Sequence, residues 1–137
     1  MKPRSPSPTP SRSVVVTFKN NTEHELIREA KKCTQGSWKN DPPPKIASKS
    51  EFLFRTEAKA GISGTEAKVT YSIKGSKNTI TLEWANPFVG NPKFVYTAPS
   101  TLAIDLQKRE GNNFIVDFTI NPFGQSSVKG IFKFLSY

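Results

Sequence analysis

The feature that most constrains this chain is a period-two alternation that runs straight into an asparagine–proline stop. In residues 78–91, NTITLEWANPFVGN, Ile80, Leu82 and Trp84 fall on one side and Thr79, Thr81 and Glu83 on the other. That is the pattern of a half-buried β-strand, and its phase assigns Trp84 to the core. Asn86-Pro87 then ends the ladder, because proline has no N–H to donate. Phe88 is left in a Pro/Gly/Asn loop, where a large apolar ring is costly unless it packs back or meets a partner. The triplet returns as Asn121-Pro122-Phe123, which makes Phe123 a candidate echo of Phe88 at another strand end. Aromatic residues in the loops of a β scaffold point to binding and away from catalysis.

Most other strong signals share this period. Val14, Val16 and Phe18 form one apolar face, as do Phe52 and Phe54, and Val69, Tyr71 and Ile73. Phe94 and Tyr96 follow, then Leu102, Ile104 and Leu106, then Phe114, Val116, Phe118 and Ile120, and a last run over 128–135 with Phe132 and Phe134 on one face. Asn20-Asn21-Thr22, Lys74-Gly75-Ser76 and Glu110-Gly111-Asn112 supply turns. Residues 23–33 fit either a short helix, with Glu25 and Glu29 early and Lys31 and Lys32 late, or a charge-studded edge strand; the strand is the reading adopted. Short strands at this spacing predict an all-β, single-domain antiparallel β-sandwich over residues 14–137. Before it, the Pro/Ser-rich residues 1–13 have a composition that cannot bury a core and are expected to form a disordered tail.

The chain of 137 residues is long enough for one hydrophobic core, and ten phenylalanines supply much of its volume. No run approaches the roughly 20 apolar residues that a membrane helix needs, so any membrane association is expected to be peripheral. The N-terminus lacks the apolar stretch of a signal peptide, and the single cysteine excludes an intrachain disulfide. Both suit a soluble protein that stays in the cytoplasm or is released without a conventional signal. The formal net charge of +9 favours anionic surfaces, either lipid headgroups or nucleic acid. The excess is spread along the chain with no basic stripe, and no Lys/Arg-Gly-Phe aromatic motif is present, which disfavours nucleic acid.

Catalytic chemistry has little to stand on. The sole histidine, His24, and the sole cysteine, Cys33, are too few for a zinc site, and their pairing as base and nucleophile has no third group to orient it. No phosphate-cradling glycine loop, nucleophile elbow or His-Glu-x-x-His motif occurs. Asp105 and Asp117 would share a proton or a cation only if strand register set them opposite each other. A non-enzyme without metal or cofactor is the expectation.

Two loops combine aromatic rings with lysines. Residues 35–46, QGSWKNDPPPKI, hold Trp38, with Lys39 and Lys45 on either side of a segment stiffened by three prolines; Trp38 fits either the core or a binding loop. The second loop, after Asn86, carries Phe88 and leads to Lys93 and Tyr96. Rings at headgroup depth with cations near lipid phosphates are what an interfacial membrane site needs. The candidate lipid-binding set is therefore Trp38, Lys39, Lys45, Phe88, Lys93 and Tyr96. Aromatic loops also stack on sugars, so a soluble carbohydrate- or protein-binding module without membrane activity is the alternative.

The order of short motifs resembles the aegerolysin family. The resemblance rests on Val14 to Asn20 followed by a turn, Gly36-Ser37-Trp38, Pro42-Pro43 and Ile46, Gly64-Thr65-Glu66, Val69-Thr70-Tyr71, and Trp84 with Asn86-Pro87-Phe88 and Gly90-Asn91. It covers roughly residues 14–98. Aegerolysins are small β-sandwich proteins, distantly similar to actinoporin cytolysins. The resemblance implies recognition of sphingolipid- or sterol-containing membranes, with oligomers on the membrane and a perforin-like partner protein that makes the pore.

Overall fold

In the computed structural model, which describes residues 11–59 and 63–123, the alternating runs form strands that turn their apolar side inward. The chain order is β1 (Ser13–Asn20), β2 (Leu26–Gln35), β3 (Ser37–Asn40), β4 (Lys45–Ile46), β5 (Ser50–Glu57), β6 (Thr65–Ile73), β7 (Thr79–Asn86), β8 (Lys93–Thr97), β9 (Leu102–Arg109) and β10 (Asn113–Pro122). They form two five-stranded sheets, ordered β3-β5-β1-β10-β9 and β4-β2-β6-β7-β8, packed as a sandwich. No helix occurs among the described residues. The expected run over 128–135 lies outside them.

The structure refines the expectations in detail, and the strand reading of residues 23–33 holds over β2. The sandwich is not wholly antiparallel, because β1 and β10 pair in parallel, with Val14 opposite Phe114 and Phe18 opposite Phe118. Parallel neighbours cannot be joined by a tight hairpin, and here almost the whole domain separates the two strands. Residues 26–35 form a strand and not a helix, since β2 pairs along β6 with irregularities between Arg28 and Ala30 and between Cys33 and Gln35. On its other side β2 meets β4 only at Leu26 and Ile27, and the edge beyond carries Arg28, Glu29, Lys31 and Lys32. Such charges discourage pairing with a foreign strand. In addition, Ser11, Arg12 and Ser13, grouped with the tail by composition, pack on the sandwich. Ser13 is fully buried, the Ser11 hydroxyl donates to the Ser63 carbonyl at 2.8 Å, and the Ala58 N–H donates to the Arg12 carbonyl at 2.8 Å.

The core is aromatic and continuous between the sheets. Phe18 of β1 meets Phe118 at 5.2 Å and Tyr71 at 5.9 Å between ring centroids, both edge to face. Such pairs contribute roughly 0.5–1.5 kcal/mol beyond the area they bury. The Tyr71 hydroxyl donates to the Pro43 carbonyl at 2.6 Å, which pins the triple-proline segment, and burial pushes its phenol well above the usual range. Trp84 is fully buried on β7, as its phase predicts, and stacks on Phe94 of β8. Its indole N–H crosses the sandwich to donate to the Thr56 hydroxyl of β5 at 3.0 Å.

Register defines two ends. Ser13, Glu57, Thr65, Asn86 and Asn113 lie at one, called the Asn86 end; Asn20, Ser50, Ile73, Thr79 and Pro122 lie at the other, the Asn20 end. Replacing Trp84 with alanine would empty the junction between the sheets, at an expected loss of about 3–5 kcal/mol. Trp84→Phe keeps most of the volume but leaves Thr56 without its donor, so it should lie between wild type and Trp84→Ala in midpoint. Urea unfolding followed by tryptophan fluorescence and circular dichroism tests both.

Candidate functional site

Among loops of the described chain, the β7–β8 connection over 87–92 is the one held from several sides while presenting an apolar tip. Asn86, the last residue of β7, is buried, and its side-chain amide donates to the carbonyls of Ser13 at 3.1 Å, Gly111 at 2.9 Å and Asn112 at 3.0 Å. One side chain thus ties the loop to the start of β1 and to the β9–β10 hairpin. Gly64 packs beneath: a Cβ there would sit 2.7 Å from the Asn86 carbonyl oxygen and 2.7 Å from the Pro87 Cα, so only glycine fits. From the outer side, Arg12 donates to the carbonyls of Pro87 at 3.2 Å and Phe88 at 2.8 Å, and its guanidinium lies 4.7 Å from the centre of the Phe88 ring. That cation–π contact adds roughly 0.5–2 kcal/mol, depending on desolvation.

The outcome corrects the reading of Phe88 as an exposed ring. Phe88 is half-buried under Arg12, and the loop instead projects Val89, 85% exposed. Arg12 and Val89 were missed by sequence reasoning; an apolar β-branched residue between Phe88 and Gly90 was the available signal. Exposed cations surround this end: Lys93 opens β8, Lys59 follows β5, and Lys108 and Arg109 close β9. None of these forms an ion pair among the described residues. At the Asn20 end, Lys49 pairs with Glu23 at 3.3 Å and Lys74 with Glu25 at 3.7 Å, while exposed Lys77 is also free of an ion pair among the described residues.

The six residues singled out from sequence are not gathered into one place. Phe88 and Lys93 share the β7–β8 connection. Trp38 lies not in a loop but on edge strand β3, opposite Thr56, with its ring edge to face on Trp84 at 5.9 Å and Lys31 5.8 Å away. Lys39, its neighbour, is exposed on the same strand. The strand forms because Gly36 (φ +84°) turns the chain between the sheets, at a point where a Cβ would come within 2.3 Å of the Glu57 carbonyl oxygen. Lys45 is exposed on β4, opposite Ile27 and towards the Asn20 end. Tyr96, 39% exposed, lies along β8 with its ring edge to face on Phe118 at 5.1 Å, on the flank of the sandwich.

The catalytic arrangements weighed from sequence do not assemble. His24 and Cys33 lie towards opposite ends of β2, and the Cys33 thiol donates to the Gln35 carbonyl at 3.2 Å. Asp117 faces Gln107 and Asp105 faces Thr119, so register separates the two carboxylates. Among the described residues no cluster of three or more His, Cys, Asp or Glu side chains has the geometry to hold a metal ion.

Comparison with known proteins adds a fold and a relative. An uncharacterized protein of Dictyostelium discoideum is 32% identical over 112 residues, 81% of this chain, and the chain spans 10% of that relative's length. Among solved structures, the lipid binding protein Nakanori superposes with a TM-score of 0.67 at 11% identity, covering 81% of this chain and 71% of that one. IP-1A from Alcaligenes faecalis superposes with a TM-score of 0.60 at 11% identity, covering 81% and 92%. At such identity the likeness is one of fold, and it agrees with the β-sandwich that the aegerolysin resemblance implied. No protein-family model matches the chain.

Two outcomes follow from this geometry. Asn86→Ala removes the donor to three carbonyls and should cost about 1–3 kcal/mol in urea unfolding, with faster amide exchange in the β7–β8 loop and the β9–β10 hairpin. Burial raises the Cys33 thiol above its ordinary range, so at pH 7.5 iodoacetamide should modify it more slowly than a free cysteine peptide, the gap narrowing as pH rises.

Proposed function

We propose that this chain is a non-catalytic lipid-binding β-sandwich that meets a membrane with its Asn86 end. The observation that carries the reading is the β7–β8 loop, which is braced by Asn86, Gly64 and Arg12 and presents exposed Val89 among cations free of ion pairs. A pre-ordered loop loses little conformational entropy when its tip enters the interface. Valine transfers apolar surface out of water, while each lysine or arginine near an anionic leaflet contributes on the order of 1 kcal/mol. The likeness of fold to a lipid binding protein supports the same reading. No helix among the described residues is long and apolar enough to cross a membrane, so contact through loop tips is the mode that the fold offers.

In this arrangement the six residues divide. Lys93 lies beside the membrane, Phe88 stiffens the loop behind Val89, and Lys39 adds field from the neighbouring edge. Trp38 serves the core through Trp84, while Lys45 and Tyr96 stand further from the tip. Preference for sphingolipid- or sterol-containing membranes, and a perforin-like partner protein, rest on the family resemblance and are parts of the proposal that a vesicle panel addresses.

The test is co-sedimentation with phosphatidylcholine vesicles, alone or with phosphatidylserine, sphingomyelin or cholesterol, at low and high salt. Wild type should bind at least one composition in high salt. Val89→Asp should weaken that binding at least tenfold with an unchanged melting temperature. Lys93→Ala should cost roughly fivefold at low salt and little at high salt. Lys77→Ala, at the opposite end, should bind as wild type. Binding by Val89→Asp equal to wild type, or no retention on any vesicle, would defeat the proposal.

A further inference from the structure

At the Asn20 end, opposite the proposed membrane face, the described chain forms a half-open cavity of about 320 Å³. It lies between the β1–β2 turn, the β6–β7 turn, the β8–β9 connection and the end of β10. That volume is at the lower end of the roughly 300–1,000 Å³ typical of small-molecule sites. Its floor is apolar, made by Ile73, Leu102 and Pro122. Most of its accessible lining is apolar, and at its rim the side chains of exposed His24, Asn78 and Thr101 hydrogen-bond to no other described residue. These groups offer both donors and acceptors to a guest.

The electrostatics narrow the guest. Glu23 and Lys74 also line the cavity, with opposite charges, and each already has a counter-ion, Lys49 and Glu25 respectively. A free anion or cation would find no net attraction there. A neutral guest rich in hydroxyl groups would. Beside the cavity stands Phe123, 77% exposed, whose N–H donates to the Thr101 carbonyl at 3.0 Å and so holds the residue at the rim. Such an open ring offers a flat apolar face on which a guest can pack. An apolar floor, paired donors and acceptors, no net charge and an exposed aromatic ring match the two surfaces of a pyranose: a C–H face that packs on a ring, and an equatorial belt of hydroxyls.

We propose that this cavity is a carbohydrate-binding site for a neutral hexopyranose, separate from the lipid-facing end. Asn78, Thr101 and His24 would address hydroxyls, and Phe123 would cover the apolar face of the sugar. Because the site lies at the far end from Val89, a membrane-bound molecule would hold it away from the bilayer.

The test is binding of wild-type protein to an array of hexose- and N-acetylhexosamine-terminated glycans, followed by saturation-transfer NMR with the matching methyl pyranoside. Wild type should bind a neutral glycan in solution without any vesicle. Asn78→Ala and Phe123→Ala, both at the surface, should weaken binding at least tenfold with melting temperatures within two degrees of wild type. Val89→Asp should leave sugar binding unchanged. No neutral glycan bound, or full binding by both Asn78→Ala and Phe123→Ala, would overturn the site. Vesicle binding by those two variants reports separately on the lipid reading, so failure of one proposal is distinguishable from failure of the other.

Discussion

The rest of the structure hangs on the indole of Trp84. Its N–H bonds to Thr56 in the facing sheet, and its ring stacks on Phe94 and receives the edge of Trp38. A β-sandwich is held mainly by non-directional burial, which tolerates sliding of one sheet over the other. A buried hydrogen bond between sheets does not tolerate it, because a lost partner leaves a polar group unsatisfied at a cost of roughly 1–3 kcal/mol. Trp84 therefore helps fix how β7 sits against β5, and Asn86, two residues on, inherits that position. Its amide reaches three carbonyls of the opposite sheet and its hairpin because β7 is already placed.

The two Asn-Pro-Phe triplets show how one local sequence is put to different use by its surroundings. In each, a buried asparagine lies at a strand end: Asn86 closes β7, and Asn121 precedes Pro122, the last residue of β10. After Asn86 the chain meets Arg12, which covers the Phe88 ring and donates to its carbonyl, while valine faces water. After Asn121 Arg12 is out of reach, and Phe123 stays open beside a polar cavity. The difference comes from a residue 76 positions away in sequence from Phe88.

Charge is sorted by the fold in a similar way. The net +9 is spread along the chain, and composition alone gives it no direction. Folding sets Lys49 and Lys74 against Glu23 and Glu25 at one end, and leaves Lys59, Lys93, Lys108 and Arg109 free of ion pairs among the described residues at the other. Exposed ion pairs add little stability, but they cancel the field locally.

Sequence alone determined the β class, most strands and the core face of each, because alternation is a local property and apolar residues at i, i+2 and i+4 must share a side. It also placed Trp84 inside and marked Asn86-Pro87 as a strand end. The candidate site was only partly legible. Phe88 and Lys93, singled out through composition, do lie at the Asn86 end, whereas Trp38, in a proline-rich stretch that reads as loop, is paired to β5 and packs on Trp84. Tertiary structure alone decided the parallel pairing of β1 with β10, the ends at which loops gather, and the exchange of Phe88 for Val89 at the tip. These depend on contacts between residues far apart in the chain, where register and burial are settled by the packing of whole sheets and leave no trace in any short window of sequence.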